Sequence, residues 1–192
     1  MSSKLALNGG EPAVSKDLLA HDWERFRKGT PEEIEAVTQV LKSGHLSIAG
    51  ALGMPQADAL EKEFCEWTGA KHCLAVNSGT AALHCAVAGL GIGAGDEVLV
   101  PAYTFVATAM AVFHQNAVPV FVDVDPDTYL MDPNRIEECI TERTKAIMVV
   151  HIHGLPGDMN EIKQIAKKHN LKVIEDAAQA YGACYDGQMA GT

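Results

Sequence analysis

Two adjacent acids at the end of an apolar segment are the residues of this chain most suited to chemistry. In VIEDAAQAYGA, residues 173–183, two β-branched residues lead into Glu175 and Asp176, and Gln179 follows. Successive side chains of an extended segment point in opposite directions, so Glu175 and Asp176 are expected to face different surroundings. The spacing of Asp176 and Gln179 also matches a capping box, which would make Asp176 the first residue of a helix.

A small, hydroxyl-rich turn, NSGTAALHCAV, leads into a second candidate helix. The free N–H groups of a helix start, with the hydroxyls of Ser78 and Thr80, would hold a phosphate. Taken alone, this motif is explained more simply by Ser78 as an N-cap.

Imidazole and aromatic side chains follow other apolar segments. His151 and His153 are two apart, so in an extended chain they would point the same way. With no third ligand nearby, they are expected to line a site rather than bind a metal. Tyr103 and Phe105 are either ordinary core residues or rings that stack on a ligand.

The elements that must position these residues alternate along the chain from residue 72 onward. The segments predicted as strands are 73–76, 97–100, 118–122, 146–150 and 172–174, and the helical patterns between them are 80–90, 105–115, 133–140 and 158–169. This alternation predicts an α/β fold with a mostly parallel sheet. Ligands bind at the carboxyl ends of the strands in such sheets, which is where all the candidate residues lie.

The first part of the chain has a different character. Residues 1–30 are irregular and are predicted to form an arm. Thr30, Pro31 and the acids after them match a helix start, and Ser43-Gly44 matches its end. A second amphipathic helix, with Leu60, Phe64 and Trp67 on one face, is expected to stop at Gly69.

Composition limits the classes of partner. Apolar residues make up 47% of the 192 residues and charged residues 21%, values typical of a globular protein. The net charge of −10 disfavours nucleic acid or an anionic membrane as the main partner. Five scattered cysteines without a CxxC pair indicate reduced thiols and a cytoplasmic protein. Neither a signal peptide nor an apolar run long enough to cross a membrane is expected.

Taken together, the motifs resemble those of the DegT/StrS family of sugar aminotransferases, which are pyridoxal-phosphate enzymes of fold type I. The resemblance runs from about residue 31 to the last residue, in order and with matching spacing. The motifs that carry it are NSGTAALHCAV, PAYTFVATA, VHIHGLPGD and VIEDAAQAYGACYDG. The opening LALNGGEPAV is similar to the arm of members that act on cyclitols or make 3-amino-5-hydroxybenzoate. The resemblance implies a three-layer large domain and a pyridoxal 5'-phosphate cofactor, bound by Ser78, Gly79, Thr80, Ala81, Phe105, Asp176 and Gln179.

The resemblance also implies a role for each of these positions. Gly79, Thr80 and Ala81 fall where the family binds phosphate, and Phe105 falls where a ring stacks on the cofactor. Gln179 falls near the cofactor ring or its 3-hydroxyl. Asp176 falls where a carboxylate keeps the ring nitrogen protonated, so that the ring accepts electrons released at the amino carbon.

The resemblance places the Schiff-base lysine beyond Thr192. Lys163, Lys167 and Lys168 lie on a predicted amphipathic helix and Lys172 begins a predicted strand, so none of them is expected to replace it. We therefore expect residues 1–30 to be an arm, residues 31–192 to be part of the cofactor-binding large domain, and a small C-terminal domain to be absent from this chain.

The function implied is amino transfer from glutamate or glutamine to a keto sugar, often nucleotide-linked, or to a keto cyclitol. Family members share their site across a homodimer, so a homodimer is implied. A dehydratase, with histidine in place of the lysine, and a 3-amino-5-hydroxybenzoate-type synthase remain alternatives within the superfamily. A sensor or assembly partner that uses the fold without turnover is the alternative from another class.

Overall fold

The computed structural model describes residue 10 and residues 29–46 and 54–192. The chain divides into two compact units, Met1–Pro55 and Gln56–Thr192. Most of the predicted arm, residues 1–30, lies outside the described residues, so that prediction stays untested. No helix in the described ranges has both the length and the apolar character needed to cross a membrane.

In the first unit, helix α1 spans Pro31–Ser43, as predicted. Its start is a capping box: the Thr30 hydroxyl accepts the N–H of Glu33 at 3.2 Å, and the Glu33 carboxylate accepts the N–H of Thr30 at 2.7 Å. Two backbone donors of the first turn are satisfied in this way. Gly44 ends the helix in the left-handed conformation, with φ of 74°.

The second unit is built on a parallel sheet of four strands. β1 is Glu97–Pro101, β2 is Val118–Val122, β3 is Thr144–Val150 and β4 is Lys172–Asp176, in the order β2-β1-β3-β4. Each pair of neighbours is parallel. The prediction of an α/β fold with a parallel sheet is confirmed.

Helices cover both faces of this sheet. These helices are α3, Gly79–Gly89, α4, Ala107–His114, α5, Pro133–Ile136, and α6, Met159–Lys168; a 3₁₀ turn, Glu137–Cys139, follows α5. Helix α2, Pro55–Thr68, precedes them in the chain and has no buried residue. One core joins α3 and α4 to alternate strand residues such as Val98 and Met148. The other joins α5 and α6 to the residues between them, such as Leu99 and Ile147. The two central strands, β1 and β3, are buried on both faces and are apolar along most of their length. On the edge strand β2, Val118 and Phe121 stay 48% and 55% exposed.

After β4 the chain forms turns and a short antiparallel hairpin. Its strands are β5, Cys184–Tyr185, and β6, Gln188–Met189. The helix start that the spacing of Asp176 and Gln179 allowed is not formed. Instead Ala180 N–H bonds Ala177 O at 2.9 Å and Ala183 N–H bonds Ala180 O at 3.0 Å. Each of these bonds spans three residues, so they close successive turns rather than an α-helix.

The prediction of a strand at residues 73–76 is wrong for this structure. Leu74 is 74% exposed and Val76 39% exposed, and neither pairs with a strand among the described residues. The N–H of Ala75 bonds a side chain instead, the carboxylate of Glu61, at 2.8 Å. An apolar, β-branched segment favours an extended backbone, but a strand also needs a neighbour to accept its hydrogen bonds.

Candidate functional site at the strand ends

A cavity of about 270 Å³ opens at the carboxyl ends of the strands. The elements around it are the start of α3, the loop from β1 to α4, the end of β3 and the turn after β4. Its lining residues are Gly79, Thr80, Leu83, Thr104, Phe105, Ala107, Val150, Asp176, Ala178 and Gln179. Five of the seven predicted cofactor residues therefore meet in one cavity, although they come from three separate parts of the chain.

The remaining two, Ser78 and Ala81, shape the wall of the cavity formed by α3. Ser78 is the N-cap, and its hydroxyl accepts the N–H of Ala81 at 3.1 Å. The N–H groups of Gly79 and Thr80 meet no acceptor within residues 54–192. A Cβ added at Gly79 would have no atom within 4 Å, so the space in front of this turn is open. A helix N-terminus with free N–H groups and open space suits an anion such as phosphate.

Asp176 also lines the cavity, and both of its carboxylate oxygens accept hydrogen bonds. The hydroxyl of Thr108 donates to Oδ2 at 3.1 Å, and the N–H of Ala178 donates to Oδ1 at 3.2 Å. Thr108 is fully buried, and its hydroxyl also meets that of Thr104 at 2.8 Å. If Thr108 donates to the carboxylate, Thr104 must donate to Thr108, because each hydroxyl has a single proton. This chain of hydroxyls fixes the orientation of the carboxylate.

Sequence reasoning did not single out Thr108. Thr104 and Thr108 are four residues apart in TFVAT, so both face the same side of a helix start. The spacing could have indicated that the two hydroxyls lie together, but it does not show that this side of the helix faces Asp176. The bond between Thr108 and Asp176 joins residues 68 positions apart, so it depends on how α4 packs on the end of β4.

Glu175 faces away from the cavity, as its alternation with Asp176 predicts. Its Oε2 accepts Nε2–H of His151 at 3.0 Å and the N–H of Gly191 at 2.8 Å. Burial of Glu175 acts to raise its pKa, but the bonds from His151 and Gly191 outweigh burial, so the pKa lies below its ordinary value. His151 is fully buried, and its Nδ1 accepts the N–H of Gly157 at 3.1 Å. This bond assigns the imidazole proton to Nε2, the nitrogen that faces Glu175.

The prediction that His151 and His153 point the same way is wrong. A 3₁₀ turn, Ile152–Gly154, follows β3, and His153 has a left-handed backbone with φ of 55°. The extended spacing is therefore lost between the two histidines: His151 enters the interior, whereas His153 is exposed. No cluster of three or more metal-binding side chains occurs in the part of the chain that the structure describes.

Phe105 and Gln179 border the cavity from two sides. The Phe105 ring is 68% exposed, so one face is free to contact a bound molecule. Gln179 Oε1 accepts the N–H of His153 at 2.7 Å, which fixes its side chain and leaves its amide N–H₂ group for other partners. A helix start with free N–H groups, an exposed ring and an oriented carboxylate thus line one space. This arrangement suits a flat, phosphorylated, nitrogen-containing ring.

Comparison with known proteins identifies relatives of this chain. The chain is 40% identical, over its whole length, to an L-glutamine:2-deoxy-scyllo-inosose aminotransferase of Streptomyces kanamyceticus, of which it covers 44%. Over 82% of its length it is 47% identical to a dTDP-3-amino-3,6-dideoxy-alpha-D-galactopyranose transaminase of Aneurinibacillus thermoaerophilus, and it covers 42% of that protein. The chain therefore spans less than half the length of these curated relatives.

A solved structure shares the fold. NtdA of Bacillus subtilis, crystallised with bound cofactor PMP, aligns with 84% of this chain and 37% of its own, at 39% identity and a TM-score of 0.75. Residues 27–192 match the model of the DegT/DnrJ/EryC1/StrS aminotransferase family. The match covers most of the sequence and includes every residue that lines the cavity. The chain belongs to the DegT/DnrJ/EryC1/StrS aminotransferase family.

Proposed function

We propose that the protein containing this chain is a pyridoxal-phosphate-dependent aminotransferase that moves an amino group from glutamine or glutamate to a keto sugar or keto cyclitol. The observation that carries the proposal is the cavity at the strand ends, where an anion site, an exposed ring and an oriented carboxylate meet. The named relatives act on such acceptors. Because the chain spans less than half of those relatives, the proposal concerns the whole protein.

The start of α3 would hold the cofactor phosphate. Gly79 and Thr80 offer backbone N–H groups, Thr80 adds a hydroxyl, and the Ser78 cap keeps the first turn in place. The positive end of the helix dipole supports an anion here. We expect these groups to provide most of the binding and to fix the orientation of the cofactor in the cavity.

Asp176 would hold a proton on the ring nitrogen. When bound, pyridoxal phosphate supplies a ring that accepts the electrons released at the amino carbon. A carboxylate beside the nitrogen favours its protonated state. Thr108 and Ala178 hold this carboxylate in one orientation, so the proton is kept at a fixed point in the cavity. Phe105 would cover one ring face and exclude water, and Gln179 would bond the ring substituents.

The lysine that bonds the cofactor aldehyde stays a prediction, placed after position 192. So does the division into an arm at 1–30 and a large domain from residue 31. We also propose a homodimer, which the family resemblance supports, and a cytoplasmic location, which the five free cysteines support. Light scattering on the purified protein tests the dimer.

The test of the function uses the full-length protein purified with pyridoxal phosphate. We expect an absorbance band at the edge of the visible range, which borohydride should abolish. Glutamine or glutamate should convert the bound cofactor to its amino form. The Asp176→Asn variant should keep the fold and lose most of the rate, because a neutral amide does not hold the ring proton. Absence of bound cofactor after desalting, or near-normal turnover in Asp176→Asn, would contradict the proposal. Water loss from the sugar without amino transfer would indicate a dehydratase.

A further inference from the structure

Three side chains beside the cavity form a compact group that the cofactor site does not use. They are Tyr103, Tyr129 and His153, here called the aromatic cluster. The ring centroids of Tyr103 and Tyr129 are 5.3 Å apart, those of Tyr103 and His153 5.9 Å, and those of Tyr129 and His153 6.3 Å. The Tyr103 hydroxyl lies 3.5 Å from His153 Nε2. The three residues follow β1, β2 and β3, so the sheet itself brings them to one edge.

Two of the three have a backbone conformation that large side chains rarely adopt. Tyr129 has φ of 62° and His153 has φ of 55°. Such residues are strained and persist only where the surroundings hold them, often at ligand sites. The turn before Tyr129 does hold it: Asp125 O accepts the N–H of Tyr129 at 2.8 Å, and Asp125 Oδ1 accepts the N–H of Thr128 at 2.9 Å.

The loops carrying Tyr129 and His153 are also joined beneath the surface. Leu130, next to Tyr129, and Ile152, next to His153, are both buried and pack in one small cluster with Val150. The two rings are therefore held against each other by their neighbours rather than by their own burial. Tyr129 itself is 48% exposed and Tyr103 is 45% exposed. The aromatic cluster is thus an open surface on a fixed support.

The aromatic cluster adjoins the cavity at two points. Thr104, which lines the cavity, directly follows Tyr103. The N–H of His153 bonds Gln179, which also lines the cavity. A molecule whose reacting atom reaches the cofactor would therefore extend over these rings.

The angles between the rings indicate the shape that fits. Tyr103 and Tyr129 are tilted by 42°, and Tyr129 and His153 meet at 89°. The rings form a corner rather than a flat stack, which suits a puckered ring better than a planar base. Aromatic faces attract the weakly positive C–H groups of a saturated ring, and the tyrosine hydroxyls and the imidazole can bond its hydroxyl groups.

We propose that the aromatic cluster binds the saturated, polyhydroxylated ring of the amino-group acceptor, with Tyr129 against its C–H face and Tyr103 and His153 bonded to its hydroxyls. This inference rests on the proposed function and names the residues that select its acceptor. The same ring chemistry occurs in a free cyclitol and in a nucleotide-linked sugar, so the experiment uses one of each.

The test compares variants of the full-length, cofactor-loaded protein. Tyr129→Asn removes the ring, and asparagine tolerates the left-handed backbone; Tyr129→Phe keeps the ring face. Tyr181→Leu is the matched control, because Tyr181 is 74% exposed and lies outside the aromatic cluster. With 2-deoxy-scyllo-inosose as acceptor, we expect Tyr129→Asn to raise the acceptor KM about five- to tenfold, the loss typical of one aromatic contact. The donor KM should stay unchanged, and Tyr129→Phe should restore the acceptor KM.

A second readout does not depend on turnover. Saturation-transfer NMR is recorded with the cyclitol and separately with dTDP-3-amino-3,6-dideoxygalactose. We expect transfer from aromatic protein protons to the ring C–H groups of each ligand. This transfer should be lost in Tyr129→Asn and kept in Tyr181→Leu. Unchanged acceptor KM and unchanged transfer in Tyr129→Asn would overturn the proposal, as would transfer confined to the thymine base. Loss of the dimer with unchanged acceptor binding would also overturn it, by assigning the aromatic cluster to a subunit contact. Transfer to the ring in a protein that shows no reaction with the amino donor would support ring binding while refuting the proposed function.

Discussion

Replacing Glu175 by glutamine isolates the contribution of a largely buried charge beside Asp176 in the chain. Glu175 Oε2 accepts two N–H groups, from His151 and from Gly191. The amide oxygen of glutamine can accept the same two bonds, so Glu175→Gln removes the charge and leaves the geometry. Its side chain is only 14% exposed, so solvent screens its charge less than it screens that of a surface carboxylate.

The magnitude follows from the strengths of charged and neutral hydrogen bonds. A bond to a charged group contributes about 1.5–3 kcal/mol and a neutral one about 0.5–1.5, so two bonds lose about 2 kcal/mol. The lower desolvation cost of an amide offsets part of this loss. The pKa of Glu175 is lowered, which means that its hydrogen bonds outweigh its desolvation. The charge of Glu175 therefore stabilises the folded protein. We expect Glu175→Gln to lower the free energy of unfolding by about 1–2 kcal/mol at neutral pH.

The pH dependence has a definite direction. A carboxylate whose pKa is lowered by folding stabilises the protein above its unfolded pKa, about 4.3 for glutamate, and this stabilisation is lost as the pH falls through the lower folded value. The difference in the free energy of unfolding between wild type and Glu175→Gln should therefore be largest at neutral pH and should vanish in acid. Urea unfolding of the full-length protein at several pH values measures it.

Glu137→Gln is the matched control. Glu137 Oε1 also accepts two donors, Lys168 Nζ and His169 Nε2, each at 2.7 Å, but its side chain is 45% exposed. Surface ion pairs of this kind contribute little to the free energy of unfolding, and salt screens them. An equal loss in both variants, or a loss in Glu175→Gln that persists unchanged in acid, would refute the reasoning.

Three further substitutions test other parts of the fold and site. Thr108→Val removes the hydroxyl that bonds Asp176 and should lower kcat/KM about tenfold, the effect of one bond to a charged group, with near-normal urea stability as the control. Ser78→Ala removes the cap on Ala81 and should lower the free energy of unfolding by about 1 kcal/mol and weaken cofactor retention during dialysis. Leu99→Ala opens a cavity at a fully buried strand position and should cost about 2–5 kcal/mol by urea unfolding, and a smaller loss would contradict the packing described.

Local pattern was enough to predict most of the second unit. Four of the five predicted strands form, because continuous apolar segments between helical patterns are typical of a sheet buried on both faces. The helix start at Thr30 and the cap at Ser78 form as predicted, since each depends on residues within one turn. The alternation of Glu175 and Asp176 was also predictable, because it follows from strand geometry alone.

The predictions that were wrong concern contacts that local pattern does not contain. Residues 73–76 have the composition of a strand, but strand formation depends on a neighbouring backbone. The relative direction of His151 and His153 depended on a turn and a left-handed residue, which an extended spacing does not reveal.

The sequence by itself determined the element order, the capping residues and which residue types stand at the strand ends, because these depend on side chains a few positions apart. Only the tertiary structure decided that Thr108 bonds Asp176, that Glu175 bonds His151, and that Tyr103, Tyr129 and His153 meet beside the cavity. These partners lie tens of residues apart in the chain. Their meeting is set by the parallel register of β1, β3 and β4 and by how the helices pack on them, which depends on the whole core at once.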